Sequence, residues 1–293
     1  MRDIICGAID GYDWDKVRVW AKSIRASGFD GDVALIVYRT TPKVIEECKK
    51  LNIELYQVEH DDLGHDINHS TSPNGTHCHA LRFFHIWQLL KDLGNKHYRY
   101  VIITDVRDVV FQKNPSPWLE EKFESFTFRS DLPFETQIIA PSEGLLIADE
   151  SWNQNNIING FGYPIYDSIK NNPVVNIGTI AGTFAYMVPF CLLLFEMTKN
   201  RYIPSDQSSF NVMTHQLLLP HIRIIDMDEG WCAQCATTHE PSRSHVWDKL
   251  IDPRPIIKDG KFYTLDGEEF AMAHQYDRVP EVNQMVEKLY ETN

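Results

Sequence analysis

The hydrophobic pattern changes period repeatedly along the chain, and those changes predict its elements. Residues 3–9, DIICGAI, form a short apolar run that reads as a first strand. The next stretch, GYDWDKVRVWAKSIRASG, sets Val17, Ala21 and Ile24 at helical spacing behind Asp13, a capping residue, and closes at Gly28. Asp32 to Tyr38 predicts a second strand. Thr41 and Pro42 open a helix whose buried stripe is Val44, Ile45, Cys48 and Leu51, and Ile53 to Val58 predicts a third strand. Strands alternating with helices in this way begin a doubly wound α/β sheet.

Residues 61–79 are polar and predict a loop over a site or a surface segment. The helix expected over 79–94 buries Leu81, Phe84, Trp87, Leu90 and Leu93 and leaves Arg82 and His85 near its opening turns. Arg82 has two readings: a solvent-facing arginine, or one that reaches a phosphate or holds an acid. After it comes RYVIITDVRDVVFQKNP, residues 99–115, around which the chain is organised. Tyr100 to Ile103 lack alternation, as expected of a strand covered on both faces. Asp105 and Asp108 stand just past its carboxyl end, where open α/β sheets bind ligands. Unpaired acids there would cost stability. Two explanations stand at this point: the acids cap the next turn or pair with Arg107, or they grip a divalent cation together with substrate phosphates.

Phe111, Gln112 and an Asn114–Pro117 turn end that segment, and Trp118 to Phe123 predicts a short helix. In the second half, SFTF (125–128) and ETQIIAPSE (135–143) predict strands, and 151–162 and 163–172 predict helices. Residues 174–183, VVNIGTIAGT, run a strand into small residues, among them Asn176 and Gly178. Such a stretch is either a wall against which a ligand packs or a tight bend that needs glycine. Ala185 to Thr198 predicts a buried helix. Ser205 caps another, where Asp206 suits the positive end of the helix dipole. The tail predicts a hairpin around Asp266–Gly267, a strand from Phe270 to Ala273 ending at His274, and a closing helix.

Composition narrows the chemistry. The chain has 293 residues, 43% of them apolar, enough for a sizeable α/β core. Lys and Arg number 28 against 41 Asp and Glu, a formal net charge of −13, and no basic block occurs, which argues against a nucleic-acid groove. An anionic ligand then needs a local device: a metal, a helix N-terminus or a few arginines. The turn after the first strand, Ala8 to Tyr12, lacks the glycine fingerprint of a dinucleotide site. The opening residues carry acids and no long apolar stretch, so no signal peptide is expected. The longest apolar run, MVPFCLLLF, is too short to span a membrane, and a cytosolic protein with six reduced cysteines is expected. Asn68 and Asn74 fit glycosylation acceptor patterns, which signify nothing without secretion. Cys232–Cys235 with His239 is half a zinc site without a second pair, and His77–His79 is spaced too tightly for one; reduced thiols are the default.

Four stretches, in order along the chain, resemble a GT-A type glycosyltransferase, a nucleotide-diphospho-sugar transferase. ITDVRDVVF resembles the family's apolar strand followed by a DxD motif, and NIGTIAGT resembles its asparagine-glycine wall. DQSSFN resembles the helix start of glycogenin-like members, and AHQYDRVPE the HQYDR segment of a branch with plant, algal and viral sequences. The resemblance implies one GT-A (Rossmann-like) domain over 1–293, with a mostly parallel central sheet flanked by helices and a smaller mixed sheet near the active site. Residues 1–115 would be the nucleotide-binding half; residues 116–293 would be the acceptor half with a C-terminal metal-ligand segment. It implies a manganese or magnesium ion held by Asp105, Asp108 and His274. Here the second acid follows the first by three residues instead of two, and Arg107 fills the gap. Asp105 then either ligates the metal or binds ribose or sugar hydroxyls while Asp108 binds the metal, or Arg107 reaches phosphate.

By the same resemblance, Asp10 and Tyr12 contact the base or ribose, Arg82, Asn176 and Gly178 lie on the donor side, and Asp206 and Gln207 carry the catalytic roles. The expected reaction moves a sugar from a nucleotide sugar, most simply a UDP-sugar, to a carbohydrate or other hydroxyl acceptor, with retention favoured over inversion. Two other classes stay in view. A sugar nucleotidyltransferase shares the fold but needs a Gly-rich basic loop after its first strand, absent here. A non-catalytic glycan-binding module would use the seven tryptophans and twelve tyrosines, most of which stand at core spacing.

Overall fold

The computed structural model describes residues 1–58, 78–94, 98–127, 136–199, 206–217 and 221–291. The loop expected over 61–79 lies outside the described residues except for its last two positions, as do Asn68, Asn74, His77 and Ser205.

The opening follows the hydrophobic pattern closely. β1 (Arg2–Ile9), α1 (Trp14–Ala26), β2 (Asp32–Val37), α2 (Pro42–Lys50) and β3 (Glu54–Gln57) alternate as expected. Asp13 caps α1, accepting from the Lys16 N–H at 3.3 Å. α3 (Cys78–Leu93) then crosses to β4 (Tyr98–Thr104), which pairs in parallel with β1 on the side opposite β2. The strand order therefore reverses between β1 and β4, so that their carboxyl ends, at Asp10 and Asp105, flank a topological switch point. Crevices there are the usual ligand sites of such sheets.

Beyond β4 the sheet changes character. After β5 (Val109–Phe111) and α4 (Pro115–Thr127) come β6 (Ile138–Leu146), α5 (Ser151–Phe161), α6 (Tyr163–Ile169), β7 (Pro173–Val175) and β8 (Thr179–Thr183). The large sheet runs β3-β2-β1-β4-β8-β6-β7, parallel as far as β4 and antiparallel from there on. α7 (Phe184–Thr198), α8 (Asp206–Val212) and β9 (Ile222–Ile225), which adds to β6 in parallel, complete this layer. The whole is thus a mixed sheet, parallel from β3 to β4. β10 (Cys232–Gln234), α9 (Cys235–His239), the β11 (Ile256–Lys258) and β12 (Lys261–Tyr263) hairpin, β13 (Met272–His274) and α10 (Pro280–Glu291) form the tail. β10, β13 and β5 make the expected smaller mixed sheet.

Both faces of the large sheet are covered, which explains the unbroken apolar runs. In β4, Tyr100 and Ile102 join the cluster under α1, α2 and α4, whereas Val101 and Ile103 join the one under α3, α7 and α8. Two local expectations are corrected. Ser125 and Thr127 of the predicted SFTF strand belong to α4, which starts earlier than expected because Asn114 Oδ1 accepts from the Ser116 N–H at 3.0 Å behind Pro115, a favourable first helical residue. Ile45 is 38% exposed rather than part of the α2 stripe. The expected hairpin around Asp266–Gly267 forms, with Tyr263 bridging Glu269 antiparallel and the Thr264 N–H donating to the Glu268 carbonyl at 2.8 Å. A further hairpin turns at Asp259–Gly260, where both residues have positive φ, as a two-residue turn between twisted strands requires.

One contact inside this frame aims the site. Gly7 in β1 leaves room for Val106, a buried residue between the two acids; a Cβ on Gly7 would lie 2.6 Å from Val106 Cγ2 and 3.1 Å from Trp20 Cζ2. With Val106 seated in the core, Asp105 and Asp108 on either side of it line one cavity. Gly7→Ala is expected to cost about 1–3 kcal/mol, the usual cost of overpacking. Urea unfolding measures it, and a neutral result would mean that Val106 is not held by close packing.

Candidate active site

The end of β4 delivers Asp105 and Asp108, and β13 delivers His274 from the other sheet. Asp105, Asp108 and His274 each offer a ligand atom, all within 4.8 Å of one another. His274 Nε2 lies 3.4 Å from Asp105 Oδ2 and 3.7 Å from Asp108 Oδ1, and it has no hydrogen-bond partner despite being buried. Its other nitrogen, Nδ1, is 3.1 Å from Gln234 Oε1. The glutamine oxygen accepts a hydrogen bond from Nδ1–H and leaves Nε2 facing the two acids. That second-sphere arrangement is the one by which proteins orient a metal-ligating histidine.

Gly178 closes the cradle from the β8 side. A Cβ there would lie 2.7 Å from both Asp105 Oδ2 and His274 Cε1 and 2.9 Å from His274 Nε2. The backbone N–H of Gly178 donates to Asn176 Oδ1 at 2.7 Å, and its carbonyl accepts from the Asp105 N–H at 2.8 Å. Thus the predicted wall residues do meet the predicted acids. Two carboxylates and one imidazole are a hard, mixed O/N donor set suited to manganese or magnesium. The orphaned Nε2 and the space kept by Gly178 fit such an ion.

Arg82 carries the compensating charge. It is 7% exposed, contrary to the solvent-facing reading, and its guanidinium pairs with Asp105 Oδ1 through Nη1 and with Asp206 Oδ2 through Nη2 at 3.1 Å. His85, also buried, pairs through Nδ1 with the Tyr38 hydroxyl at 2.9 Å. Burial opposes ionisation of Asp105, but Arg82 and then His274 override it and hold this carboxyl well below the usual range. Asp108 moves the other way, pushed up by burial and by the charge of Asp105, against the pull of His274. His274 is pulled down by burial and raised more strongly by Asp105 and Asp108.

Beside the cradle a cavity of about 250 Å³ is lined by Asp10, Tyr12, Arg82, Asp105, Arg107 and Asp108. Six predicted residues thus share one wall. Asp10 is tied to Arg39 at 2.7 Å. Arg107 is 42% exposed along its side chain, resting 3.3 Å from Asp108 Oδ2 and 3.6 Å from Asp277 Oδ2. Asn176 and Gln207 are not in that lining. They lie behind it in a buried amide network with Glu143 and Asn153. Asp206, at the start of α8, accepts the Gln207 N–H at 2.9 Å besides pairing with Arg82.

Sequence reasoning missed Glu143, Asn153 and Gln234. Gln234 sits inside the Cys232–Cys235 pair, which drew attention to its thiols; both are free and buried, and burial pushes Cys232 up to about 12. His239 bonds Thr238 Oγ1 at 2.7 Å, and the one metal-capable cluster among the described residues is that of Asp105, Asp108 and His274. No helix among the described residues is long and apolar enough to cross a membrane.

No family model matches the chain, and no curated protein does. Solved structures are similar. The galactosyltransferase LgtC, in complex with donor and acceptor sugar analogs, superposes at a TM-score of 0.53 with 13% identity, over 99% of this chain and 97% of that one. The apo structure of WbbM, a bifunctional glycosyltransferase, superposes at 0.54 with 14% identity, over 98% of this chain and 49% of that one. The chain has the GT-A glycosyltransferase fold. Within the GT-A fold of this chain, the acid cluster lies at the parallel sheet's switch point, and the small sheet carries the third member of the cluster.

Gly178→Ala is expected to weaken manganese binding by about tenfold or more, because the added methyl must displace Asp105 or His274. Titration of the purified protein with Mn²⁺, followed by the signal of the free ion, measures this; an unchanged affinity would place the ion elsewhere.

Proposed function

We propose that this chain is a metal-dependent glycosyltransferase that moves a sugar from a nucleotide-sugar donor, most simply a UDP-sugar, to a carbohydrate or other hydroxyl acceptor. The observation that carries the reading is the Asp105–Asp108–His274 cradle beside a switch-point cavity, with Nε2 of His274 turned into it and Gly178 keeping it open. Similarity in fold to LgtC, a galactosyltransferase seen with donor and acceptor sugar analogs, supports it. The HQYDR and DQSSFN stretches suggest a branch akin to the glycogenin-like family, in which residues 1–115 grip the nucleotide and 116–293 the acceptor.

In this reading Asp105, Asp108 and His274 hold Mn²⁺ or Mg²⁺, which when bound neutralises charge developing on the departing diphosphate. Asp10 and Tyr12 border the base and ribose. Arg107, half free at the cavity wall, leaves its acid partners to meet a phosphate, so a single mobile guanidinium serves where no basic cluster exists. Arg82 fixes Asp105 and Asp206 relative to each other, and Asn176 with Gly178 bounds the donor sugar.

Retention of configuration is the better-supported outcome. An inverting reaction would need Asp206 as general base, yet both of its carboxylate oxygens are already engaged, Oδ2 by the buried Arg82 at 3.1 Å and Oδ1 by the Gln207 N–H at 2.9 Å. Gln207 and Asp206 serve instead to steady positive charge at the sugar carbon while the leaving phosphate accepts the acceptor's proton.

Hydrolysis of a panel of UDP-sugars with and without Mn²⁺ tests the function. At least one donor is expected to turn over only with the metal, and Asp108→Ala is expected to lower that rate on the order of 10²-fold with an unchanged thermal midpoint. Failure to bind any nucleotide under either condition would overturn the assignment.

A further inference from the structure

Glu143 is a buried acid, 6% exposed, that belongs neither to the metal cradle nor to the cavity lining. It lies in β6 where pairing with β7 slips, the register shifting between Ser142 and Leu146. Gly144 follows with a φ of +76°, and its N–H donates to Ser142 Oγ at 2.9 Å. A Cβ on Gly144 would lie 2.5 Å from Met227 Cε, so glycine is required both by the backbone and by the space. Irregularities of this kind bend a strand and re-aim a side chain. Here the side chain presented is Glu143.

Its partners are amides. Glu143 Oε1 accepts from Asn176 Nδ2 and from Gln207 Nε2, each at 2.8 Å. Gln207 Nε2 also donates to Asn153 Oδ1 at 3.2 Å, and Asn153 Nδ2 donates to Glu150 Oε2 at 2.9 Å. A side-chain amide has a donor end and an acceptor end, whereas an oxygen that already takes two N–H groups can only accept. Glu150 therefore fixes which end of Asn153 faces Gln207, and Glu143 draws the Gln207 NH₂ toward itself. Gln207 Oε1 is thereby turned to Asn176 Nδ2, 3.4 Å away, and Asn176 in turn holds the Gly178 N–H.

We propose that Glu143 is a positioning residue for the transfer reaction, acting through Gln207 by fixing the orientation of its amide, with the NH₂ toward Glu143 and the oxygen toward Asn176. The catalytic consequence rests on the glycosyltransferase reading; the amide orientation does not. An amide oxygen turned to the reacting sugar stabilises positive charge there, and an NH₂ in its place opposes it. Glu143→Gln keeps the shape but offers an end that can donate as well as accept, so the Gln207 amide gains a second orientation.

Two readouts test this. In ¹⁵N–¹H spectra of the free protein, the Gln207 side-chain NH₂ signals, assigned by their loss in Gln207→Ala, are expected to shift and to exchange about tenfold faster with solvent in Glu143→Gln. Glu143→Asp, which keeps an acceptor-only group, is expected to restore much of the original pattern. In turnover of the UDP-sugar donor, Glu143→Gln is expected to lower kcat by about 10- to 100-fold with KM changed by less than about threefold, as for misplacement of a catalytic group. The double variant Glu143→Gln, Gln207→Ala should be no slower than Gln207→Ala alone. Unmoved Gln207 signals in Glu143→Gln, or fully additive losses in the double variant, overturn the proposal. The spectra need no substrate, so absence of any transfer activity would fault the functional reading and leave the amide result to stand or fall separately.

Discussion

Carboxylates gathered at the end of a buried strand repel one another, and the site depends on how that repulsion is offset. Asp206 joins Asp105 and Asp108 from a distant part of the chain, and one buried guanidinium, Arg82, reaches Asp105 and Asp206 but not Asp108. Asp108 has the partly exposed Arg107 and a histidine whose Nε2 is otherwise unpaired. The buried acids thus outnumber the buried cations. A cluster of this kind is costly unless further positive charge joins it. A divalent ion at the cradle would supply that charge at the place where a diphosphate would need it, which would tie the stability of the site to its proposed chemistry.

The fold serves this charge arrangement in layers. β1 and β4 stop at a switch point, so chain ends and cavity coincide. The small sheet, built from β5, β10 and β13, brings a residue from the far end of the sequence against β4's exit, with Gln234 on the neighbouring strand setting its tautomer. Beyond Gly178 lies an amide network in which two carboxylates, Glu143 and Glu150, fix the orientation of Asn153, Asn176 and Gln207. Charge lies at the front of the site, and oriented dipoles lie behind it.

Much of this was legible in the sequence where a local pattern has one physical cause. The first three strands and two helices follow from hydrophobic period, and the uniform apolar run of β4 correctly signalled a strand buried on both faces. Asp105 and Asp108 were readable as acids past the end of a buried strand, whereas His274 joined them only through the family resemblance. What escaped depends on contacts across the fold. Arg82 looks solvent-facing on its helix until Asp206, 124 residues away, arrives beside it. Glu143 lies in an ordinary-looking strand, marked only by the glycine after it, and Gln234 was hidden between two cysteines. The strand expected at SFTF failed because aromatic and β-branched residues favour strands only weakly, and the Asn114–Pro115 helix start upstream outweighs them.

A crystal soaked in Mn²⁺ and measured for anomalous scattering puts the central claim to its most direct test. The account predicts a single strong peak within about 2.0–2.6 Å of Asp105 or Asp108 oxygen and of His274 Nε2. A peak at another place, or none at saturating metal, would contradict it.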